Sequence, residues 1–271
     1  MFKMRVLFLA FACSVFFAAH AAPSSPAAPL AIGQTFTIES KLVKETRRIN
    51  VYLPPGAKDE PLPVMYMPDG GMLEDFLHIA GLLQVGAGNG TMRPFILVGI
   101  ENTERRRDLT GPTTDPEDRK IAPRVGGSRA FRAFIRTELM PEIAKRYRVT
   151  SETAIVGESL AGLFVVETLL TEPEMFDTYI AIDPSLWWNK GQLAQRALPT
   201  FKSKKALYLS TSGQAQLSAQ VAELARKLKS DAGTGLTWQH QDMTEETHAT
   251  IYHPAALQAF RAAFKPPLTA P

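Results

Sequence analysis

The chain has 271 residues, 45% hydrophobic and 21% charged, with 18 glycines, 20 prolines and one cysteine. That composition excludes a disordered chain, a collagen-like repeat and a disulfide scaffold. Lys and Arg number 30 against 27 Asp and Glu, and a formal charge of +3 is too weak a bias for a nucleic-acid binder.

The chain opens with Lys3 and Arg5, an apolar run from Val6 to Ala19, and the small-residue site Ala19-His20-Ala21. A basic start, a short apolar stretch and an A-x-A site predict a secretory signal peptide over 1–21. The run is short for a membrane span, so the expected product is periplasmic or secreted, with no integral span in the mature chain. Cleavage would remove Cys13 and leave no disulfide, thiol nucleophile or thiolate metal site. A lipoprotein reading of Ala10-Phe11-Ala12-Cys13 is open, although Phe11 is bulky beside that cleavage point. Residues 22–34, rich in Pro, Ala and Ser, read as a tether, and 35–267 as one domain.

Within the domain, short apolar runs alternate with helical patterns. Strand-like runs occupy 35–38, 48–53, 64–67, 95–100, 154–156, 179–182, 206–210 and 236–240. The first two alternate and should pair antiparallel near an edge, whereas the middle ones are continuously apolar, as expected of strands covered on both faces. Phe131, Phe134, Ile135, Leu139 and Ile143 recur at three- and four-residue steps, predicting one helix over 128–147. Val221, Leu224, Ala225 and Leu228 predict another, and Ala256, Leu257, Phe260 and Phe264 a last one entered through Pro254. This alternation predicts an α/β fold with a mainly parallel eight-stranded sheet wrapped on both sides. The polar stretch 101–127, which holds Pro112, Pro116, Pro123, Gly126 and Gly127, is too long for a mere connection and starts at a strand end, where such sheets bind ligands.

The strongest chemical signal is Ala154-Ile155-Val156-Gly157-Glu158-Ser159-Leu160-Ala161-Gly162. An apolar strand enters Gly157, Ser159 sits at a tight turn, and a helix follows. Small residues two before and two after the serine let strand and helix backbones approach, as a nucleophile elbow requires. The Leu160 N–H would then stand at a helix N-terminus, aimed at a developing oxyanion. A plain strand–turn–helix with a capping serine is the bland reading. A serine nucleophile needs a base. His78 precedes the serine, His240 lies inside a strand and His253 abuts Pro254, whereas His248 lies in the polar loop after the last strand. Asp69-Gly70-Gly71, at the end of the third run, offers a second oxyanion donor at Gly71, or only a tight turn.

Four blocks together resemble the enterochelin esterase-like branch of the α/β hydrolases. They are 64–71, 98–110 with its Glu101-Asn102-Thr103 and Arg105, 127–147, and 155–189 ending in Ile182-Asp183-Pro184-Ser185-Leu186-Trp187-Trp188. The resemblance spans about residues 40 to 265 and implies a serine esterase of the α/β-hydrolase fold that needs no cofactor or metal. It implies a small-molecule ester as partner, with a catecholate siderophore trilactone the sharper expectation and generic short esters the broader one. The chain departs from the family in two places. Members usually place a carboxylate after the seventh strand, where this chain has Ser212-Gly213-Gln214-Ala215-Gln216, and Asp183 stands where relatives often have serine. Asp183 is therefore the expected acid for His248, with a Ser–His dyad as the competing reading. Trp187 and Trp188 read as walls of an acyl or aromatic pocket or as core caps. Arg105 and Arg107, with Arg106, read as an anion-gathering patch or a solvated face. An acyltransferase or a silent binding protein of the same fold would be the rival functions.

Overall fold

The computed structural model describes residues 27–266 except positions 56, 58, 232 and 234. The expected signal peptide lies outside the described residues. The chain divides into residues 1–31, whose described part has no regular structure, and residues 32–271, which hold the strands and helices.

Eight strands form one sheet: β1 (Gln34–Ser40), β2 (Glu45–Tyr52), β3 (Leu62–Pro68), β4 (Ile96–Ile100), β5 (Val149–Glu158), β6 (Thr178–Ile182), β7 (Lys205–Ser212) and β8 (Leu236–Met243). Their order is β1-β2-β4-β3-β5-β6-β7-β8. Only β2 runs antiparallel to its neighbours; the other pairs are parallel. Each of the eight expected runs falls on one of these strands. The helical segments are α1 (Phe76–Gly88), α2 (Arg105–Asp108), α3 (Pro116–Ile121), α4 (Ser128–Phe134), α5 (Met140–Arg146), α6 (Leu160–Thr171), α7 (Ala215–Asp231) and α8 (Tyr252–Ala263).

The period of two along each strand sorts side chains onto two cores. Val64, Tyr66, Ile155, Tyr179, Ala181, Leu207 and Leu209 join the residues of α4, α5, α6 and α7. Met65, Met67, Ala154, Val156, Ile180, Ile182 and Tyr208 join those of α1 and α8 on the other face. The central strands β3 and β4 are buried along their whole length, which is why they read as unbroken apolar runs. Helix α6 is buried from Leu160 to Leu170, so it shows no stripe, whereas α7 buries one face through Leu217, Val221, Leu224 and Leu228.

The helix expected over 128–147 is interrupted. Between α4 and α5 lies a π turn, Ile135–Leu139, in which the Met140 N–H donates to the Ile135 carbonyl. Pro141 explains it: proline has no N–H to return to the preceding turn, and its ring crowds the carbonyl four residues back, so a wider turn relieves both. The apolar stripe survives because Phe131, Phe134, Ile135, Leu139 and Ile143 stay buried.

The stretch 101–127 is not a bare loop, since it carries α2 and α3 and is anchored by charge. Arg47 of β2 is fully buried, with its Nη2 on Asp108 and 2.5 Å from Glu45 Oε1. Arg107 of α2 reaches the same carboxylates, Nε 2.6 Å from Asp108 Oδ1 and Nη2 2.6 Å from Glu45 Oε1. The Arg47 guanidinium also lies 5.2 Å from the centre of the Phe131 ring. Two cations and two anions thus pin α2 to β2 beneath the loop. Breaking one partner of a buried ion pair costs about 3–5 kcal/mol, because the remaining charge stays desolvated. Asp108→Asn is accordingly expected to lower unfolding stability by about 3 kcal/mol, at the low end because Glu45 remains; a urea titration with unchanged m-value checks it.

Candidate active site

Six parallel strands end at one edge of the sheet, and the turns that leave them build the site. Glu158 of β5 pairs with Ile182 of β6, and Ile182 with Ser210 of β7. The ladder then runs one residue further: the Ser159 N–H donates to the Ile182 carbonyl (3.1 Å) and the Asp183 N–H to the Ser210 carbonyl (2.9 Å). Register alone therefore sets Ser159 and Asp183 side by side on adjacent strands.

Ser159 occupies φ 60°, ψ −120°, a strained conformation for a residue with a side chain. Strain of about 1–3 kcal/mol at such a position persists only where the surroundings over-determine it. Here the strand ladder below, and a Ser185 N–H donating to the Ser159 carbonyl (3.0 Å), hold the turn. Its Leu160 N–H is the first of α6, with no carbonyl one helical turn behind it. The turn is tight enough that a Cβ added at Gly157 would fall 2.7 Å from the Ala161 backbone carbon and Cβ.

His248, in the turn between β8 and α8, completes the arrangement. Its Nε2 lies 3.0 Å from Ser159 Oγ and its Nδ1 2.7 Å from Asp183 Oδ2. Asp183 is wholly buried, and Ser212 at the end of β7 donates to it twice, from N–H (3.0 Å) and Oγ (2.7 Å). Burial opposes the Asp183 charge, but the bonds from His248 and Ser212 outweigh it and hold its pKa below the ordinary value. The Asp183 hydrogen bond raises the His248 pKa, against the effect of burial. A proton acceptor thus touches the serine hydroxyl, and a buried anion fixes the acceptor's tautomer. This is the geometry of a general base poised on a nucleophile.

A family model described as "Putative esterase" matches residues 40–260. The chain belongs to this esterase family. Among curated relatives of this esterase, the ferri-bacillibactin esterase BesA of Bacillus subtilis is 29% identical over 235 residues, covering 75% of this chain and 79% of its own. The siderophore triacetylfusarinine C esterase of Aspergillus fumigatus is 33% identical over 156 residues, 54% of this chain and 51% of that protein. A solved IroE-like serine hydrolase from Shewanella oneidensis superposes with a TM-score of 0.76 at 31% identity, covering 86% of this chain and 80% of its own. The expected α/β-hydrolase fold and ester-hydrolase class are thereby borne out: this esterase is an ester hydrolase of that fold.

The remaining expected site residues are placed less simply. The Gly71 N–H donates to Glu74 Oε2 at 2.6 Å, so the amide expected to face an oxyanion is engaged by the chain's own carboxylate. Arg105 makes a bidentate pair with Asp69 (2.8 and 2.7 Å), and its field still reaches His248 and Glu158. Arg107 is not brought to Ser159, because Glu45 and Asp108 hold its guanidinium. Trp188 is buried and donates from its ring N–H to the Gly111 carbonyl (2.9 Å), while Trp187 is half-buried against the same core. Trp188 also lines a cavity of about 380 Å³ with Gly111, Leu163, Glu167 and Asn189. His240 bonds Thr211 Oγ1 (2.9 Å) within the sheet, and His253 packs on the His78 ring, so neither competes with His248. Among the described residues no cluster of three or more metal-ligating side chains forms. No described helix is long and apolar enough to cross a membrane.

Three polar neighbours escaped the sequence reading: Ser185, whose Oγ is 3.4 Å from Ser159 Oγ, Ser212 on Asp183, and Glu158, whose Oε1 is 3.2 Å from His248 Nδ1. Only Glu158 carried a signal, an acidic residue closing a strand that is otherwise apolar on its approach to the serine. The elbow itself yields an expected outcome. Gly157→Ala meets backbone as well as the Ala161 methyl, and overpacking of that kind costs about 1–3 kcal/mol. Thermal melts should show that loss, and adding Ala161→Gly should recover only part of it.

Proposed function

We propose that this chain is an exported serine hydrolase that cleaves carboxylic esters through an acyl-enzyme, with siderophore esters as its substrate class. The observation that carries the reading is the hydrogen-bonded chain Ser159–His248–Asp183. In the proposed cycle His248 Nε2 takes the Ser159 proton as Oγ attacks the ester carbonyl, and Asp183 stabilises the imidazolium that results. The imidazolium then protonates the leaving alcohol, and a water activated by the same imidazole releases the acid. The Leu160 N–H faces the tetrahedral oxyanion, and Gly71 supplies a second donor once the substrate oxygen replaces Glu74 Oε2. That amide already donates to a carboxyl oxygen, which supports the reading.

Support for the substrate class comes from relatives named as siderophore esterases, two of them cited above. Trp187, two residues past Ser185, and Arg105, whose charge acts on His248, are the proposed substrate contacts. Export to the periplasm or beyond rests on the basic-then-apolar sequence of residues 1–21. A silent binding protein drew its support from the missing carboxylate after β7, and Asp183 on His248 removes that support. An acyltransferase requires a second acceptor site, for which nothing in the arrangement argues.

A fluorophosphonate probe should label the wild-type protein at Ser159, and Ser159→Ala should lose both labelling and ester turnover by about 10⁶-fold. His248→Ala should be nearly as damaging while His253→Ala is tolerated; the reverse ranking would overturn the assignment of the base. Asp183→Asn keeps the shape and removes the charge. Its kcat on p-nitrophenyl acetate should fall by roughly 10³–10⁴. A near-normal kcat would leave a Ser–His dyad instead.

A further inference from the structure

The imidazole of His248 faces two carboxylates through one nitrogen. Asp183 Oδ2 lies 2.7 Å from Nδ1, and Glu158 Oε1 lies 3.2 Å from the same atom. A neutral imidazole carries one proton on Nδ1, and Asp183, shorter and doubly anchored by Ser212, is the better acceptor for it. Glu158 is then left beside the ring rather than bonded along its N–H. It is also mostly buried, with a side chain 14% exposed, and it ends the strand that enters the elbow. Backbone geometry therefore places it as firmly as it places Ser159.

We propose that Glu158 is a positioning residue for the hydrolytic reaction, a second carboxylate that stabilises the imidazolium of His248 whenever it is ionised. The proposal rests on the reading of Ser159 and His248 as nucleophile and base. No atom of Glu158 needs to touch substrate. When Oγ of Ser159 gives up its proton, the ring becomes cationic, and a negative charge a few ångströms from Nδ1 favours that state over the neutral one.

Whether Glu158 carries its charge depends on everything packed around it. Burial pushes its pKa up to about 8; the cation of His248 opposes this, Asp75 ahead of α1 adds to it, Arg105 of α2 opposes it, and Asp69 at the end of β3 adds to it. Tyr252 of α8 also stands within the field of this carboxyl, and its own hydroxyl stays protonated because burial raises it far above the ordinary value. Asp183 holds a depressed pKa and stays ionised through the neutral range. The sign follows. Below pH 8 Glu158 is a neutral acid and contributes little charge to the ring. Above it the proton is lost and the imidazolium gains a second anion. Ester turnover by the wild-type protein should therefore still rise as the pH passes through 8, the range in which Glu158 loses its proton. The two groups titrate as a coupled pair.

Glu158→Gln mimics the protonated side chain at every pH and supplies the test. With p-nitrophenyl acetate, kcat of the variant should lie within about twofold of wild type at pH 6.5 and fall roughly tenfold behind by pH 9, the effect of one pK unit of differential stabilisation. KM should be the same for both proteins. Two profiles that run parallel, whatever their separation, would overturn the proposal, because a structural defect lowers activity without regard to pH. A second measurement does not depend on turnover. NMR titration of His248 should show two inflections in the wild-type protein, one of them near pH 8, and a single inflection in Glu158→Gln. Identical titrations would overturn the proposal even in an active esterase. Two inflections in a protein whose Ser159 fails to label would preserve the pair and discard the esterase cycle.

Discussion

A carboxylate with no exposure to water, at the carboxyl end of β6, is the constraint on which the rest of the site depends. An isolated ionised group there would be too costly to keep, so every oxygen of Asp183 must find a donor. Two come from Ser212 and the third is the imidazole of His248. Satisfying the charge therefore fixes the end of β7 and the turn after β8 in one step. A further bond ties those two turns together, the Gly213 N–H donating to the Glu246 carbonyl at 2.9 Å. Ser212, the last residue of β7, thus serves Asp183 as a donor twice over.

Sharp turns accumulate at this edge of the sheet. Asp69, Ser159 and Asp183 all have positive φ (57°, 60° and 42°), and they leave β3, β5 and β6 respectively. Each turn lifts a polar side chain off a strand that is buried on both faces. Gly70 beside Asp69 shows how close the layers are: a Cβ there would fall 2.3 Å from the Gly99 Cα. The two apolar cores on either side of the sheet offset such strain, since burial of large side chains contributes about 1.5–3 kcal/mol apiece. The placement of Ser159 and Asp183 is thus a property of the sheet, to which the turn after β8 adds His248.

Much of this was legible in the sequence, because hydrophobic period and chain order carry local and topological information. Continuous apolar runs marked the strands, and the flanking small residues marked the elbow at Ser159. Loop position separated His248 from His253, and the neutral residues after β7 directed attention to Asp183. What stayed hidden was long-range pairing. The Arg47–Asp108 pair joins positions 61 residues apart, and no local pattern reveals that Arg107 would be committed to it. The same holds for Glu74 on the Gly71 amide, where the glycine pair signals close approach but not what approaches. The π turn was concealed because the apolar stripe continues through it, and Pro141 alone hinted at a break.

The three consecutive arginines illustrate why residue type does not fix role. Arg107 is structural, Arg106 donates to the Ile121 carbonyl (2.7 Å), and Arg105 clamps Asp69. Only Arg105 acts electrically on the imidazole, where it disfavours the proton that Asp183 and Glu158 favour. Its charge therefore bears on the base before it bears on any substrate. Removing it would also leave Asp69 with Asn102 as a neutral donor and no cation, raising the proton affinity of the Glu158 carboxyl. Arg105 thus opposes the imidazolium that the acidic residues favour, and the turns that hold Ser159 place both. An anion approaching Arg105 would have to compete with Asp69 for the guanidinium. Affinity for an anion at this guanidinium would consequently be linked to the protonation state of His248.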